Sequence, residues 1–356
     1  MHVTLSRPHE LSPAELESWR RLQASDMRLD SAFLSPEFAA AVGRCKDDVR
    51  VAVVREGGEI VAMLPFERER FGLGRALALG VSDAQAVICR PEFRVDALGL
   101  VRACGLGLWE YDHLVAHFEE FAPSSQVTVE SRVMDLRGGF DAYLRQDNRR
   151  GRQTVHKLLQ RRRNMERDLG RLSFVFDGSD RSALGTLMSW KSAQWKRTQR
   201  FDRFSRPWIR GVVEDLASAT EPACRGILST LSVAGRLAAV GLGLTTTTRL
   251  SGWLIAYEPS LGQYSPGLQF LLSLAESAAE HGIGLIDLGK GDEGYKESLA
   301  SWSYPIGAGR VTARSSARMM LQARRGARVA LVRVADAHPR LRSLAPSSLV
   351  GADRVH

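Results

Sequence analysis

Between Asp287 and Lys296 the chain reads Asp-Leu-Gly-Lys-Gly-Asp-Glu-Gly-Tyr-Lys, three acids, two lysines and a tyrosine spaced by three glycines. The run follows Ile283–Leu288, a short apolar stretch too brief for a helix and best read as a buried strand. A polar, glycine-rich loop at the end of such a strand is where open α/β sheets place ligands. Asp287, at the strand's end, is a carboxylate whose partial burial would raise its pKa toward that of a proton acceptor. Lys290, Glu293, Tyr295 and Lys296 add charge and one weak acid within reach of it. The same residues would also suit a solvated turn, with Asp287 and Lys296 as a structural ion pair. The residue types alone leave both readings open.

The elements that must position this loop come just before it. Ser265 and Pro266 open a helix, Ser265 by accepting from free helical N–H groups and Pro266 by suiting the first position. Leu268, Leu271, Leu272, Ala275 and Ala279 fall on one face, Gln269, Ser273, Glu276, Ser277 and Glu280 on the other. Gly282 then ends the helix in a left-handed conformation.

The chain has 356 residues, enough for two domains, with 44% hydrophobic and 25% charged residues, the composition of a folded globular protein. Cys45, Cys89, Cys104 and Cys224 are scattered and read as buried free thiols. No zinc-type spacing is present, so no metal is expected. The opening residues lack a hydrophobic leader segment and no 18 apolar residues run together, which predicts a cytoplasmic protein.

A repeat organises the chain. Val51–Phe66 and Ser229–Leu244 each read as strand, glycine turn, strand, with Gly58 matching Gly235, Ile60 matching Leu237 and Ala62 matching Ala239. Ser35–Val42 reads as a Ser-Pro-opened helix, Leu172–Asp177 as a strand, Ser179–Gln199 as a helix, Gly252–Tyr257 as a strand and Ser303–Ala313 as a strand pair. The +9 net charge is concentrated in Arg145–Arg171, net +7, and Arg310–Arg342, net +8, which leaves an acidic body between two basic segments. Predicted bounds are residues 1–146, a basic helical connector 147–170, residues 171–314 and a basic helical tail 315–356.

Tyr-Ser-Pro-Gly before an apolar helix, followed by the Asp287–Lys296 run, resembles the CelD/BioF2-like branch of the GNAT acyltransferase superfamily, which is related to the FemAB-type aminoacyl transferases. A tryptophan-bearing helix (Trp190, Trp195), the hairpin at Gly235 and the upstream basic helix belong to the same resemblance, which covers Asp141 to about Trp302. It implies an α+β fold of tandem GNAT-like domains, each a mixed, mostly antiparallel sheet flanked by helices, with the second domain catalytic. It implies acyl transfer from acyl-CoA, acetyl-CoA included, to an amino or hydroxyl group of an envelope or exopolysaccharide precursor.

Under that resemblance Asp287 is a base or an orienting group, Lys296 stabilises the anionic intermediate, and Tyr295 donates a proton or packs. Gln263, Tyr264, Ser265 and Gly267 stand where the donor's phosphates would meet a helix N-terminus. The usual glycine spacing there is shifted by one residue and Pro266 removes a donor. A plain helix cap is the alternative. Trp195, Tyr257, Lys290 and Glu293 would line the acceptor side, although Trp195 also suits a core position.

The basic connector fits a solvated interdomain face, a phosphate-binding surface for tRNA, or contact with an anionic membrane. No aromatics interleave its arginines, so single-strand base stacking is not indicated. The candidate partners are therefore a small-molecule or glycan-precursor acceptor, the inner membrane surface as a peripheral contact, and tRNA. Two further functions fit the sequence: aminoacyl-tRNA-dependent transfer, and a non-catalytic basic adaptor for nucleic acid or membrane.

Overall fold

A computed structural model describes residues 2–116, 118–121, 125–145, 149–291 and 293–313. Strands β1 (His2–Ser6), β2 (Val49–Glu56), β3 (Glu59–Arg68), β4 (Leu73–Ala76), β5 (Ile88–Cys89), β6 (Leu108–Leu114) and β7 (Ser125–Asp135) come from the first half of the chain. Strands β8 (Leu172–Val175), β9 (Thr220–Glu221), β10 (Cys224–Val233), β11 (Arg236–Thr245), β12 (Arg249–Tyr257), β13 (Leu285–Lys290) and β14 (Trp302–Thr312) come from the second. All fourteen join one mixed, mostly antiparallel sheet of order β1-β2-β3-β4-β6-β14-β7-β13-β12-β11-β10-β8, with β5 on β3 and β9 on β10.

The two halves exchange their last strands. β7 pairs antiparallel with β13 of the second half, and β14 with β6 of the first; β7 and β14 also pair with each other at the centre. The division in sequence near residue 146 is therefore not a division in the sheet. Ser303–Ala313, expected as a strand pair, forms one continuous strand, because β7 and β6 pair with its two edges along its length.

The repeat is deeper than its glycines. Both hairpins turn on left-handed residues, Gly57-Gly58 and Ala234-Gly235. Both carry a bulge at the same place: Val54 pairs with Ala62 but Arg55 with Ile60, and Leu231 pairs with Ala239 but Ser232 with Leu237. A bulge adds one unpaired residue and local twist, so its recurrence at matching positions marks a shared architecture. The halves also repeat a one-turn helix followed by a proline-opened helix, at Ala32–Leu34 with Pro36–Cys45 and at Arg203–Ser205 with Pro207–Leu216.

One core runs under both halves, holding Trp19, Phe33 and Phe38 of the first with Leu187, Phe204, Ile209 and Leu242 of the second. The helix Arg149–Leu169 buries Val155, Leu158 and Met165 against the helix Pro266–Glu280. That contact corrects the expected polar face of the latter. Gln269 and Ser273 are buried, and Gln269 Nε2 donates to Leu158 O at 2.7 Å.

Gly282 does close the Pro266–Glu280 helix in left-handed geometry (φ 77°), with Ile283 N–H reaching back to Ala278 O. Cys89, Cys104 and Cys224 are buried, Cys45 is half-buried, and no disulfide joins any of the four. No helix among the described residues is long and apolar enough to cross a membrane. The proposed tail 315–356 lies outside the described residues.

Candidate active site

β12 and β13 run parallel but pair over only three positions, ending at Ser251↔Asp287, and then diverge. β12 is bulged at the same level: Leu242 of β11 pairs with Leu254 but Leu244 with Ser251, so Gly252 and Trp253 face a single partner residue. The result is a V whose walls are Gly252–Tyr257 on one side and Leu288–Lys290 on the other. The first half builds the same V from β4 and β6, which pair from Leu73↔Leu108 to Arg75↔Glu110. There the chain loops out and returns at Gln85, which bridges to Leu114 and closes the gap. The Gln85 side chain seals it, accepting from the Asp112 and His113 N–H groups at 2.9 and 3.0 Å.

Asp287 sits at the apex of the second V, 8% exposed. Its Oδ1 accepts from Ser131 Oγ at 2.8 Å and Gly289 N–H at 2.9 Å, and its Oδ2 accepts from the Tyr304 hydroxyl. Ser131 is on β7 and Tyr304 on β14, so one carboxylate ties the two exchanged strands to β13. Burial and the neighbouring Asp287 charge push the Tyr304 hydroxyl well above its ordinary pKa, keeping it a donor. Arg249 lies over the Tyr304 ring, 5.6 Å from its centroid. With its lone pairs so engaged, Asp287 has the geometry of an orienting group.

Lys296 opens toward the same V from the short helix Gly294–Leu299. Its Nζ donates to Lys290 O at 2.6 Å and lies 3.3 Å from Glu293 Oε2, with the side chain 12% exposed. Lys290 Nζ reaches Asp112 O at 3.3 Å, across the junction between the halves. Tyr295 is half-buried against the core, and burial pushes its hydroxyl up to about 12.

Helix Arg181–Arg197 contributes Lys191 and Trp195. Trp195 is buried against Phe204, with Lys191 Nζ 5.7 Å from its ring centroid. Lys191 Nζ also donates to Ile255 O of β12 at 3.0 Å. Desolvation, helped by the charges of Arg203, Arg200 and Lys296, lowers its pKa to about 8.

A lysine whose folded pKa lies below its unfolded 10.5 weakens the fold while it is charged. Between pH 8 and 10.5 the unfolded chain holds the proton that the folded chain has released, so stability rises with pH across that window. Urea midpoints at several pH values should show the rise in the wild type and its loss in Lys191→Met.

The donor-side residues are differently disposed. Ser265 is left-handed (φ 56°) and makes no side-chain cap, contrary to expectation. Its Oγ instead accepts from Arg161 Nη1 at 2.6 Å, because the basic helix crosses the start of this one. Ser265 O takes the N–H groups of Leu268 and Gln269, Pro266 has none, and Gly267 keeps the one first-turn N–H without a protein acceptor among the described residues. Tyr257 packs over Gly267, where an added Cβ would lie 3.2 Å from its ring. Tyr264 is buried, its hydroxyl donating to Asp168 of the basic helix at 3.0 Å, while Gln263 is exposed.

Three groups here escaped the sequence reading. Asp83, on the loop that closes the first V, faces Gly289; a Cβ on that glycine would stand 3.8 Å from Asp83 Oδ2. His113 is buried between two acids, Nδ1 2.9 Å from Asp112 Oδ1 and Nε2 3.7 Å from Asp83 Oδ1. The adjacent Asp112-His113 pair was the available signal, but nothing local ties it to Asp83. Among the described residues no group of three or more acids, histidines and cysteines has the arrangement of a metal site.

A family model described as an acetyltransferase (GNAT) domain matches residues 149–297, from the first residue of the basic helix to the Lys296 helix. The fold resembles FemX, with a TM-score of 0.55 at 10% identity over 88% of this chain and 97% of that one. It also resembles the C-terminal domain (DUF2156) of a protein described as a lysylphosphatidylglycerol synthetase from Agrobacterium fabrum, with a TM-score of 0.53 at 15% identity over 86% and 95%. A Bacteroides thetaiotaomicron protein of unknown function gives a TM-score of 0.50 at 12% identity over 86% and 99%. Such identities speak to fold alone. No curated protein matches the chain in sequence.

Proposed function

We propose, from the premise that this chain is a GNAT-superfamily acyltransferase with its acetyltransferase domain over residues 149–297, that it moves an acyl group from acyl-CoA to an amino or hydroxyl group of an envelope or exopolysaccharide precursor. The observation that carries the reading is the contrast between the two Vs: the first is closed by Gln85, while the second has no bridge beyond Asp287 among the described residues. An extended acyl donor can pair with the freed edge of β12, where the bulge at Gly252-Trp253 unpairs backbone groups. Its carbonyl then lies near Lys296, whose ammonium can stabilise the tetrahedral oxyanion. Lys290, Glu293 and Trp195 flank the acceptor side, and Asp287 holds Gly289 and Tyr304 in place. The donor's phosphates fall to Gly267 N–H and Arg161, with Gln263 and Ser265 beside them. A peripheral position at the inner membrane surface fits an envelope precursor.

Aminoacyl-tRNA is the second reading for the donor. The start of the Pro266 helix offers few N–H groups for a pyrophosphate, while the adjoining basic helix exposes His156, Lys157, Arg163 and Arg167. Thermal denaturation separates the two. A ligand at a hundred times its dissociation constant stabilises the fold by about 2.7 kcal/mol. The expected result is a rise in Tm with acetyl-CoA or a longer acyl-CoA. A rise with charged tRNA and none with any acyl-CoA would transfer the proposal to the second donor.

A further inference from the structure

We propose that the first half of the chain supplies the proton acceptor for the reaction in the second half: Asp83, backed by His113 and Asp112. The inference rests on the acyl-transfer reading above, and it makes the active site a joint product of both halves. Asp83 lies on the loop that closes the first V, and that loop is fixed to the second V. Trp253 of β12 donates its indole N–H to Val81 O at 2.9 Å, two residues from Asp83. Ser82 Oγ donates to Leu77 O at 2.8 Å and holds the loop from its other side.

Asp83 and Asp287 both belong to the V, yet their surroundings differ. Asp287 accepts three hydrogen bonds. Asp83 accepts none from the described residues; its nearest basic neighbour is His113 Nε2, at 3.7 Å, and its side chain is 32% exposed. A carboxylate that faces the mouth of the V without a donor is free to take a proton from an incoming nucleophile. Gly289, with φ of 72°, leaves the space between Asp83 and β13 clear.

The groups behind Asp83 set its poise. Gln85 Nε2 donates to Asp112 Oδ1 at 2.7 Å, and the same oxygen takes His113 Nδ1, which turns Nε2 toward Asp83. Besides His113 of β6, the charges of Arg203 in the one-turn helix Arg203–Ser205, Asp287 of β13 and Lys296 of the short helix act on Asp83. Desolvation, with Asp287 adding to it, raises the Asp83 pKa, while His113, Arg203 and Lys296 oppose the rise. In the step itself the lone pair of a neutral amine or of a hydroxyl attacks the acyl carbonyl carbon while the same nitrogen or oxygen gives one proton to Asp83; an acceptor that arrives as an ammonium first releases one proton to solvent. The new C–N or C–O bond forms, the carbonyl becomes the oxyanion, and the donor's thiolate leaves as the carbonyl re-forms. Asp83 returns its proton to solvent or to the thiolate.

The test uses the full chain in two arms. In the first, acetyl-CoA turnover is followed with a panel of primary amines. Asp83→Asn should lower kcat about 100-fold, with the acetyl-CoA KM little changed and the circular dichroism of the wild type. His113→Gln removes a group that lowers the Asp83 pKa, so the acid limb of kcat/KM should move to higher pH; a merely structural histidine would lower the rate without moving it. Wild-type kcat in Asp83→Asn overturns the proposal.

If the wild type turns over no acetyl-CoA with these amines, the donor reading is left to the thermal-denaturation test and the second arm decides the role of Asp83. Carboxyl 13C titration of the free protein should show a resonance, absent from Asp83→Asn, with a pKa above the ordinary aspartate range that rises further in His113→Gln. An ordinary pKa, or one indifferent to His113, overturns the proposal equally.

Discussion

Asp287→Ala should cost the fold about 4 kcal/mol and Asp287→Asn about half of that, read as falls in the urea midpoint with little change in slope. The carboxylate is the shared acceptor of Ser131 on β7, Tyr304 on β14 and the Gly289 N–H of its own strand. Alanine strands three buried donors, and each unsatisfied one costs roughly 1–3 kcal/mol. Asparagine keeps one oxygen for Ser131 and Gly289 and turns its amide toward Tyr304, whose hydroxyl must then accept. It also loses the charge that strengthens all three bonds. The pair of variants separates two roles for Asp287. An orienting group loses stability and turnover together as asparagine gives way to alanine. A general base would instead lose turnover completely already in Asp287→Asn, out of proportion to that variant's partial loss of stability.

Local pattern carried much of this architecture and little of its long-range pairing. The Gly58 and Gly235 hairpins, the β13 strand and the glycine stop at Gly282 were readable because turn chemistry and alternation are local. The exchange of β7 and β14 was not, since β-pairing across more than a hundred residues leaves no trace in the periodicity of either strand. The same limit misplaced Gln269 and Ser273. Their spacing is that of a solvent face, and the basic helix that covers them is apolar only through a narrow stripe of Val155, Leu158 and Met165. Ser265 has a cap residue's type, but Arg161 arrives from elsewhere and takes its hydroxyl. At the site, the Asp287–Lys296 loop stood out by composition. Asp83 did not, because a lone acid in a loop gains meaning only when the other half of the chain is brought against it.

Lys296→Ala should lower kcat on the order of 100- to 1,000-fold while the donor KM changes by no more than a few fold, the pattern of a group whose contact strengthens in the transition state. An ammonium has three donors; one is held by Lys290 O and another faces Glu293, which leaves the third for the V. Those anchors also fix where the charge stands, and a fixed charge in a partly dry cleft needs no reorganisation when the oxyanion forms. Lys296→Arg keeps the charge but not the compact geometry, so it should recover only part of the rate.

A second readout follows from the neighbouring lysine. Lys296 is among the cations that hold the Lys191 pKa near 8. In Lys296→Ala the Lys191 amine should therefore titrate at higher pH, which the pH dependence of its acetylation by a small reagent would report. Full turnover in Lys296→Ala, with Lys191 titrating as in the wild type, would remove Lys296 from the site. Lost turnover with the Lys191 shift present would locate its contribution in the electrostatics of the cleft, because the Lys290 carbonyl it caps does not influence Lys191 through charge.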